Sequence, residues 1–323
     1  MSDVVPDKML YEPVPFWGKV PHVMTFRGSA TSVAVDRQDR VYVFNRGSHP
    51  LMVFDPDGNM LEAWSDPGQF GRPHSIRIND DDTMFLVDDG DHVIEKRSLD
   101  GEIVLNLGEK GNPYAWEGGG TGRLFNRPTD IGVHPSTGDL FVCDGYGNSR
   151  IHRFTAAGGH VTSWGEAGTD PGQFSLPHGI AVTPDDRVLV VDRENFRIQV
   201  FSLEGEFLEH WWIHRPFCIS IGRQEEPLVY IGQGRSVIPN RKGVPRLGSR
   251  ISVHRLDGTE VARFGDELPG FEPQQFMGLH SIAVDSRGDV YVAEVANAWI
   301  ADLTEPPPLG EWPSLRKWRL VTA

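Results

Sequence analysis

The feature that most constrains the fold is a two-strand pattern that recurs six times along the chain of 323 residues. Each copy has a short strand of the type x-I-x-V, a polar turn and a second strand of β-branched and aromatic residues, as in SIAVDSRGDVYVAE. One apolar residue of each first strand serves as an anchor, and the anchors are Val33, Ile76, Ile131, Ile180, Ile219 and Ile282. A third and a fourth strand follow most copies, joined by DG, EG or GG hairpin turns. Four strands per unit at spacings of 39 to 63 residues predict an all-β, six-bladed β-propeller around a central channel.

The rest of the sequence favours one such domain over residues 1–323. A β-helix needs much shorter repeats, and a two-domain α/β protein needs amphipathic helices that the sequence lacks. The 36 glycines and 24 prolines also favour strands and turns. The last unit contains an insertion, EPPPLGEWP, before its strand LRKWRLV, and the segment KVPHVMTF ahead of the first unit is predicted to supply the outermost strand that closes the ring.

Charge and cysteine content limit the partners. The formal net charge is −14, which argues against nucleic-acid or anionic-membrane binding, because both need basic surfaces. No apolar stretch reaches the roughly 18 residues of a membrane span, and the N-terminus has no pattern of a secretory signal. The two cysteines, Cys143 and Cys218, are too few for a disulfide framework. We therefore expect a cytoplasmic protein, and the sequence leaves its oligomeric state open.

A repeated position two residues before each anchor, which we call the ring position, carries the first functional signal. It holds Thr31, His74, Thr129, His178, Phe217 and His280 in chain order. Histidine therefore occurs in blades two, four and six, which are 120° apart in a six-fold ring. Because the innermost strand of each blade lines the channel, we expect the three imidazoles to meet near the axis. Three histidines with an open fourth position are the ligand set of a catalytic zinc ion.

A second layer of polar residues follows the second strand of three blades. Arg46 in FNRGSH and Arg193 in VDRENF stand thirteen residues after their anchors, in blades one and four, on opposite sides of the axis. Tyr146 in CDGYGNSRI stands near the same level in blade three. Two guanidinium groups suit a carboxylate, which they bind through paired hydrogen bonds. A phenol with a nearby cation can act as an acid or base. In the alternative interpretation these residues have structural roles only. Arg193 then forms an ion pair with Asp192 or Glu194, and Tyr146 packs against its neighbours.

These segments, together with RPHSI, GQFSLPHGIAV and VDRENFRIQVF, resemble the peptidyl-α-hydroxyglycine α-amidating lyases, a branch of the NHL-repeat propellers. The resemblance implies zinc on His74, His178 and His280, and site roles for Arg46, Arg193 and Tyr146. It also implies cleavage of the N–Cα bond of an N-acyl-α-hydroxyglycine, which gives a primary amide and glyoxylate. The substrate would then be a small or peptide-derived α-hydroxy acid.

Some positions depart from that family pattern. Gly147 follows Tyr146 where the secreted members have cysteine, and Ser281 replaces an acidic residue that helps to hold a structural calcium. A structural calcium is therefore not expected. Two alternative functions stay open: a zinc-dependent hydrolase of lactonase or amidase type, and a non-catalytic NHL scaffold that binds a partner.

Overall fold

The computed structural model describes residues 9–21, 24–26, 29–65, 68–113, 125–235, 247–266, 268–299 and 312–321. Within these ranges, 24 strands form six antiparallel sheets of four strands each. The inner strands of neighbouring sheets contact one another all the way round, which closes the ring. The prediction of an all-β, six-bladed propeller is therefore confirmed. The assignment of residues 1–323 to a single domain stays a prediction.

Five blades are built from four consecutive strands, with the innermost strand first in the chain. Blade one contains β2 (Ala30–Val35), β3 (Val41–Asn45), β4 (Leu51–Phe54) and β5 (Met60–Ala63). Blade two contains β6 (Pro73–Ile78), β7 (Thr83–Asp88), β8 (Val93–Ser98) and β9 (Ile103–Gly108). Blade three contains β10 (Asp130–Val133), β11 (Leu140–Asp144), β12 (Arg150–Phe154) and β13 (His160–Trp164). Blade four contains β14 (Pro177–Val182), β15 (Arg187–Asp192), β16 (Arg197–Ser202) and β17 (Phe207–Trp212). Blade five contains β18 (Pro216–Ile221), β19 (Val229–Gln233), β20 (Arg250–His254) and β21 (Glu260–Phe264).

Blade six joins the two ends of the chain. It contains β22 (Leu279–Val284), β23 (Val290–Glu294) and β24 (Leu315–Val321), and its outermost strand is β1 (Leu10–Val14). Tyr11 of β1 stacks on Phe264 of blade five at 4.2 Å between ring centroids. The insertion predicted in EPPPLGEWP lies outside the described residues, except for its last two positions.

The prediction that KVPHVMTF closes the ring is wrong, because β1 does so nine residues earlier. The described part of KVPHVMTF makes only an isolated bridge from Lys19 to Asn59 of blade one, while Trp17 and Phe26 are buried against blades six and one. The segment therefore passes from the last blade to the first. Pro21, which has no N–H to donate, suits that passage better than a place in a sheet.

The core consists of six apolar clusters, and each cluster lies between two adjacent blades. Val33 and Val43 of blade one, for example, pack in one cluster with Tyr291 of blade six. The strands alternate their side chains between two faces, so each blade contributes to two clusters. Turn glycines such as Gly101 and Gly205, at φ of 94° and 90°, connect third and fourth strands where the left-handed region is required. No helix of the described part has the length and apolarity to cross a membrane.

Candidate metal centre

All three ring-position histidines stand at a β-bulge. The register between first and second strands shifts at Pro73/Ser75, at Pro177/Gly179 and at Leu279/Ser281, so the histidine between each pair has no residue opposite it. The same shift occurs around Thr31 and Phe217 in blades one and five. A bulge turns the extra side chain away from the regular pleat. The repeated bulge therefore directs the ring-position side chain toward the axis.

The three imidazoles converge as the sequence predicts. Each of His74, His178 and His280 is buried, and one nitrogen of each ring lies within 4.8 Å of the other two. The ring centroids are 4.8 to 5.0 Å apart. Within the described residues, this is the one cluster of three or more metal-binding side chains. The cluster could hold a metal ion.

Each imidazole is oriented by the ring position of the next blade. The Nδ1 atoms of His74, His178 and His280 lie 2.6, 2.7 and 2.7 Å from the carbonyl oxygens of Thr129, Phe217 and Thr31. A carbonyl oxygen only accepts, so Nδ1 carries the proton and Nε2 keeps a lone pair. Histidines that bind a metal usually donate their other ring N–H to an acceptor in this way. The alternating Thr and Phe positions thus supply backbone oxygens that fix the tautomer of all three histidines.

The electrostatic surroundings keep the three histidines neutral. Burial and neighbouring His280 hold the pKa of His74 well below its usual range, and burial and Arg193 do the same for His178. Burial and Arg46 lower the pKa of His280 to about 3. Neutral imidazole is the form that coordinates a metal.

Tyr146 contacts the cluster directly. It lies two residues beyond β11, and its hydroxyl oxygen is 3.0 Å from Nε2 of His74 and 3.1 Å from Nε2 of His178. Burial raises the pKa of Tyr146, although Arg193 opposes that effect. The raised pKa keeps the phenol protonated at neutral pH. Its catalytic role stays a prediction, as do the roles of the two arginines.

Arg46 and Arg193 follow the second strands of blades one and four, as predicted. Arg46 is half-buried, donates from Nε to the Pro73 carbonyl at 3.2 Å, and has no ion pair with an acid of the described ranges. Burial and nearby Arg72 lower its pKa. Arg193 pairs with Glu194 at 2.8 Å, which is the partner that the structural alternative named. The field of both arginines reaches His280, since both lower its pKa.

Sequence reasoning missed four charged residues around this centre: Arg72, Asp89, Arg127 and Arg215. Asp89 pairs with Arg72 and Arg127, and Glu194 pairs with Arg215 as well as Arg193. A signal was available for the three arginines, because each stands two residues before a ring position, in RPH, RPT and RPF. A signal was available for Asp89 too, because it stands thirteen residues after its anchor Ile76, as Arg46 and Arg193 do after theirs.

Ser281, next to His280, donates or accepts in a 2.9 Å hydrogen bond with the hydroxyl of Ser32. Arg77, three residues after His74, pairs with Asp130 and donates to the carbonyl of Ile219 at 3.2 Å. A guanidinium therefore balances the buried Asp130 carboxylate. Whether the protein binds calcium stays untested.

The chain is similar to several known proteins. The NHL repeat model matches residues 125–154 and 174–201. Peptidylglycine alpha-amidating monooxygenase from Rattus norvegicus is 30% identical over 323 residues, which cover 88% of this chain and 31% of the rat protein. Peptidyl-alpha-hydroxyglycine alpha-amidating lyase 1 from Drosophila melanogaster is 28% identical over 317 residues, covering 83% of this chain and 55% of the fly protein. The chain thus spans about a third of the rat protein's length.

Among solved structures, virginiamycin B lyase from Staphylococcus aureus covers 97% of this chain and 100% of its own, with a TM-score of 0.60 and 15% identity. That likeness shows the fold alone. Repeat pattern, propeller and relatives agree: the chain is a β-propeller with NHL repeats, and it is similar to the peptidyl-α-hydroxyglycine α-amidating lyases.

Proposed function

We propose that this protein is a zinc-dependent lyase that cleaves the N–Cα bond of an N-acyl-α-hydroxyglycine, or a related small hemiaminal, to an amide and a glyoxylate-type carbonyl. The observation that carries the proposal is the convergence of three Nε2 lone pairs whose Nδ1 protons are all committed to backbone carbonyls. Three buried lone pairs facing one another repel, and a cation between them removes that repulsion.

The donor set supports zinc. His74, His178 and His280 offer three neutral imidazoles, and no Cys or acidic side chain completes their cluster in the described ranges. Three histidines that leave a fourth position open are typical of catalytic zinc. Bound zinc would supply Lewis acidity to an oxygen of the substrate.

The chain's own residues supply position and protons. Arg46 and Arg193 would hold the α-carboxylate, since paired N–H donors match a planar carboxylate. Tyr146 would hold a proton at its hydroxyl oxygen, beside the point where His74 and His178 meet, and could pass it to the departing amide nitrogen. The reaction is balanced without water: the hydroxyl loses its proton as C=O forms, the C–N bond breaks, and nitrogen gains a proton.

The relatives' names support the lyase class. The fly relative is named as an amidating lyase, and a Caenorhabditis elegans relative, 36% identical over 139 residues, as a probable one. NHL repeat-containing protein 3 from Homo sapiens is 32% identical over 219 residues, and its name carries no activity. The family therefore favours a lyase, and the histidine cluster favours an enzyme over a scaffold.

The fate of water oxygen tests the proposal. We would incubate the metal-loaded protein with N-acetyl-α-hydroxyglycine in ¹⁸O-labelled water and trap the aldehyde quickly, because glyoxylate exchanges its oxygen. We expect unlabelled acetamide and glyoxylate in equal amounts. The variant with alanine at all three histidines measures the spontaneous breakdown of the substrate.

A hydrolase would give the opposite labelling. Attack of zinc-bound hydroxide on the acyl carbonyl places ¹⁸O in newly formed acetate and leaves no acetamide. Labelled acetate would therefore reject the lyase in favour of the hydrolase.

A further inference from the structure

Three blades carry an arginine two residues before the ring position: Arg72, Arg127 and Arg215. Arg72 and Arg127 belong to adjacent blades two and three and lie on the same side of the metal centre; we call them the Arg72–Arg127 pair. Neither residue is needed to hold the metal or the α-carboxylate in the function proposed above. The proposed function therefore does not explain why these two arginines lie beside the site.

Both arginines lie against the phenol of the site. The guanidinium carbons are 6.0 Å (Arg72) and 4.8 Å (Arg127) from the centroid of the Tyr146 ring. The hydroxyl of the same ring is 3.0 Å from Nε2 of His74. The Arg72–Arg127 pair therefore lies beside the ring whose hydroxyl contacts the histidine cluster.

The two guanidiniums share a single carboxylate. Oδ2 of the fully buried Asp89 accepts from Arg72 at 2.6 Å and from Arg127 at 2.7 Å. Arg46, whose pKa Arg72 lowers, adds a third cation with no acid of its own in the described ranges. Three guanidiniums and one carboxylate leave two positive charges in excess on a protein whose formal net charge is −14.

The pair also keeps unused donors that solvent can reach. Arg72 donates to Asp89 from one nitrogen, and Arg127 from Nε and one terminal nitrogen. The side chains are 40% and 42% exposed. Each guanidinium has five N–H groups, so most of them face no acceptor among the residues that the structure describes. Such a surface is ready to receive an anion.

The backbone of Arg127 is held in a conformation that disfavours most side chains. Its φ is 64°, in the left-handed region that favours glycine. The N–H of Arg127 donates to Nδ1 of His92 at 3.0 Å, and its carbonyl accepts from the N–H of Tyr146 at 3.3 Å. Leu176 and Arg215, which precede the corresponding proline in blades four and five, also have a positive φ, so the repeat itself sets the backbone at this position.

Room for a substituent lies beside Arg72. A cavity of about 190 Å³ is lined by Arg46 and Arg72, together with Asn45, Phe70 and Pro73. This volume is below the roughly 300 to 1,000 Å³ of pockets for drug-sized ligands. It has room for an acyl group of a few carbons.

We propose that the Arg72–Arg127 pair binds a second carboxylate, carried by the acyl group of the substrate. The substrate class would then be N-acyl-α-hydroxyglycines with a short anionic acyl group rather than neutral peptides. This inference rests on the proposed lyase function for its reaction but not for its binding site.

Two isosteric substrates test the inference. N-succinyl-α-hydroxyglycine carries the second carboxylate, and N-succinamoyl-α-hydroxyglycine has a neutral amide in its place. We expect kcat/KM of the wild type to be about tenfold or more higher for the succinyl substrate, since a charge-assisted bidentate contact exceeds a neutral one by at least that factor. Arg72→Gln combined with Arg127→Gln should abolish this preference and leave turnover of the succinamoyl substrate within about threefold of the wild type.

A matched control is available at the other end of blade one. Arg40 is 36% exposed and pairs with the fully buried Asp36 at 2.6 Å, in the turn between β2 and β3. Arg40→Gln therefore removes an arginine–aspartate ion pair far from the ring position and should keep the preference. If the double variant still turns over the neutral substrate, it is folded. If the double variant does not fold, the preference of the wild type is compared with that of the single variants Arg72→Gln and Arg127→Gln.

Equal kcat/KM of the wild type for both substrates would overturn the inference. An equal fall of kcat/KM for both substrates in the double variant would also overturn it, because the pair would then act on the shared α-carboxylate or on Tyr146. Calorimetric binding of the unreactive N-succinylglycine and N-succinamoylglycine separates this result from the proposed function. A preference for N-succinylglycine that depends on the pair, without any turnover, would support the anion site and reject the lyase; equal binding would reject the anion site alone.

Discussion

A single repeated position decides the chemistry at the residue scale. The same bulge at the start of the inner strand occurs at Thr31 and at Phe217 as well as at the histidines, so backbone geometry is a property of the repeat. The side chain at this position alternates: a histidine directs one ring nitrogen to the centre, while a Thr or Phe position offers the carbonyl that orients the imidazole of the preceding blade. The candidate metal ligands and the carbonyls that orient them therefore occupy the same position of the repeat.

We predict that replacing His74, His178 and His280 together by alanine removes bound zinc. Protein purified without added metal should contain about one zinc per chain, measured by elemental analysis, because these residues supply the three nitrogen ligands. His254→Ala is the control, since His254 is buried but contacts Ser252 and Gly258 in blade five. Undiminished zinc in the triple variant would contradict the assignment.

Tyr146→Phe should lower kcat about 10²-fold or more while zinc content is unchanged, because loss of a positioned proton donor costs that order of rate. The ring, and with it the contact with Arg127, is kept in this variant. Steady-state kinetics and metal analysis of the same preparation measure both effects. Unchanged kcat would exclude the phenol from proton transfer.

Arg46→Lys and Arg193→Lys should each weaken turnover about tenfold or more and leave zinc bound. Lysine keeps the charge but loses the planar pair of donors that matches a carboxylate. Arg193 already spends Nε on Glu194, so its terminal nitrogens are the ones left for substrate. Normal kcat/KM in both variants would mean that the carboxylate is bound elsewhere.

At the scale of elements, the strand that closes the ring connects blade six to blade five. Tyr11 of β1 stacks on Phe264 and shares a 3.1 Å hydrogen bond with the hydroxyl of Tyr230. Pro13 is tolerated in β1 because this strand lies at the edge of its sheet. The sequence pattern alone predicted KVPHVMTF for this strand, and the structure has β1 there instead, because its side chains make these contacts with another blade.

Tyr11→Ala should destabilise the fold by about 2–3 kcal/mol, since it removes aromatic packing and a hydrogen bond between two blades. Urea unfolding followed by tryptophan fluorescence measures the loss. Glu12→Ala changes the neighbouring exposed residue of the same strand and should stay within about 0.5 kcal/mol of the wild type. Equal stability of the two variants would show that β1 closes the ring without help from Tyr11.

For the whole molecule, the three ligands come from blades two, four and six, so a bound metal ties together alternate blades of the ring. A ligand that binds only the folded state stabilises it by about 4 kcal/mol at a thousandfold excess over its Kd. We therefore expect a metal bound at this centre to stabilise the fold.

Removing the metal with a chelator should lower Tm by several degrees, because a binding free energy of this size is large relative to the net stability of a folded domain. Differential scanning calorimetry, with zinc returned in excess, should show the loss and its recovery. The variant with three alanines should respond to neither treatment. A chelator effect of equal size in that variant would place the stabilising metal elsewhere.

The sequence by itself determined the number of blades, the histidine slots and the level of Arg46, Arg193 and Tyr146, because these depend on a local pattern repeated at regular spacing. Tertiary structure decided which strand closes the ring and how charges pair around the centre. Asp89 stands thirteen residues after its anchor Ile76, as Arg46 and Arg193 do after theirs, but only packing shows that its carboxylate and that of Glu194 lie among the arginines of the site. The Nδ1 bonds to carbonyls of the next blade were equally out of reach, since a backbone oxygen leaves no mark in the sequence and the contact spans 55 residues for His74 but 249 for His280. A local periodic pattern can be recognised in the sequence. The pairing of distant charges and the orientation of an imidazole depend on contacts that form only when the ring closes.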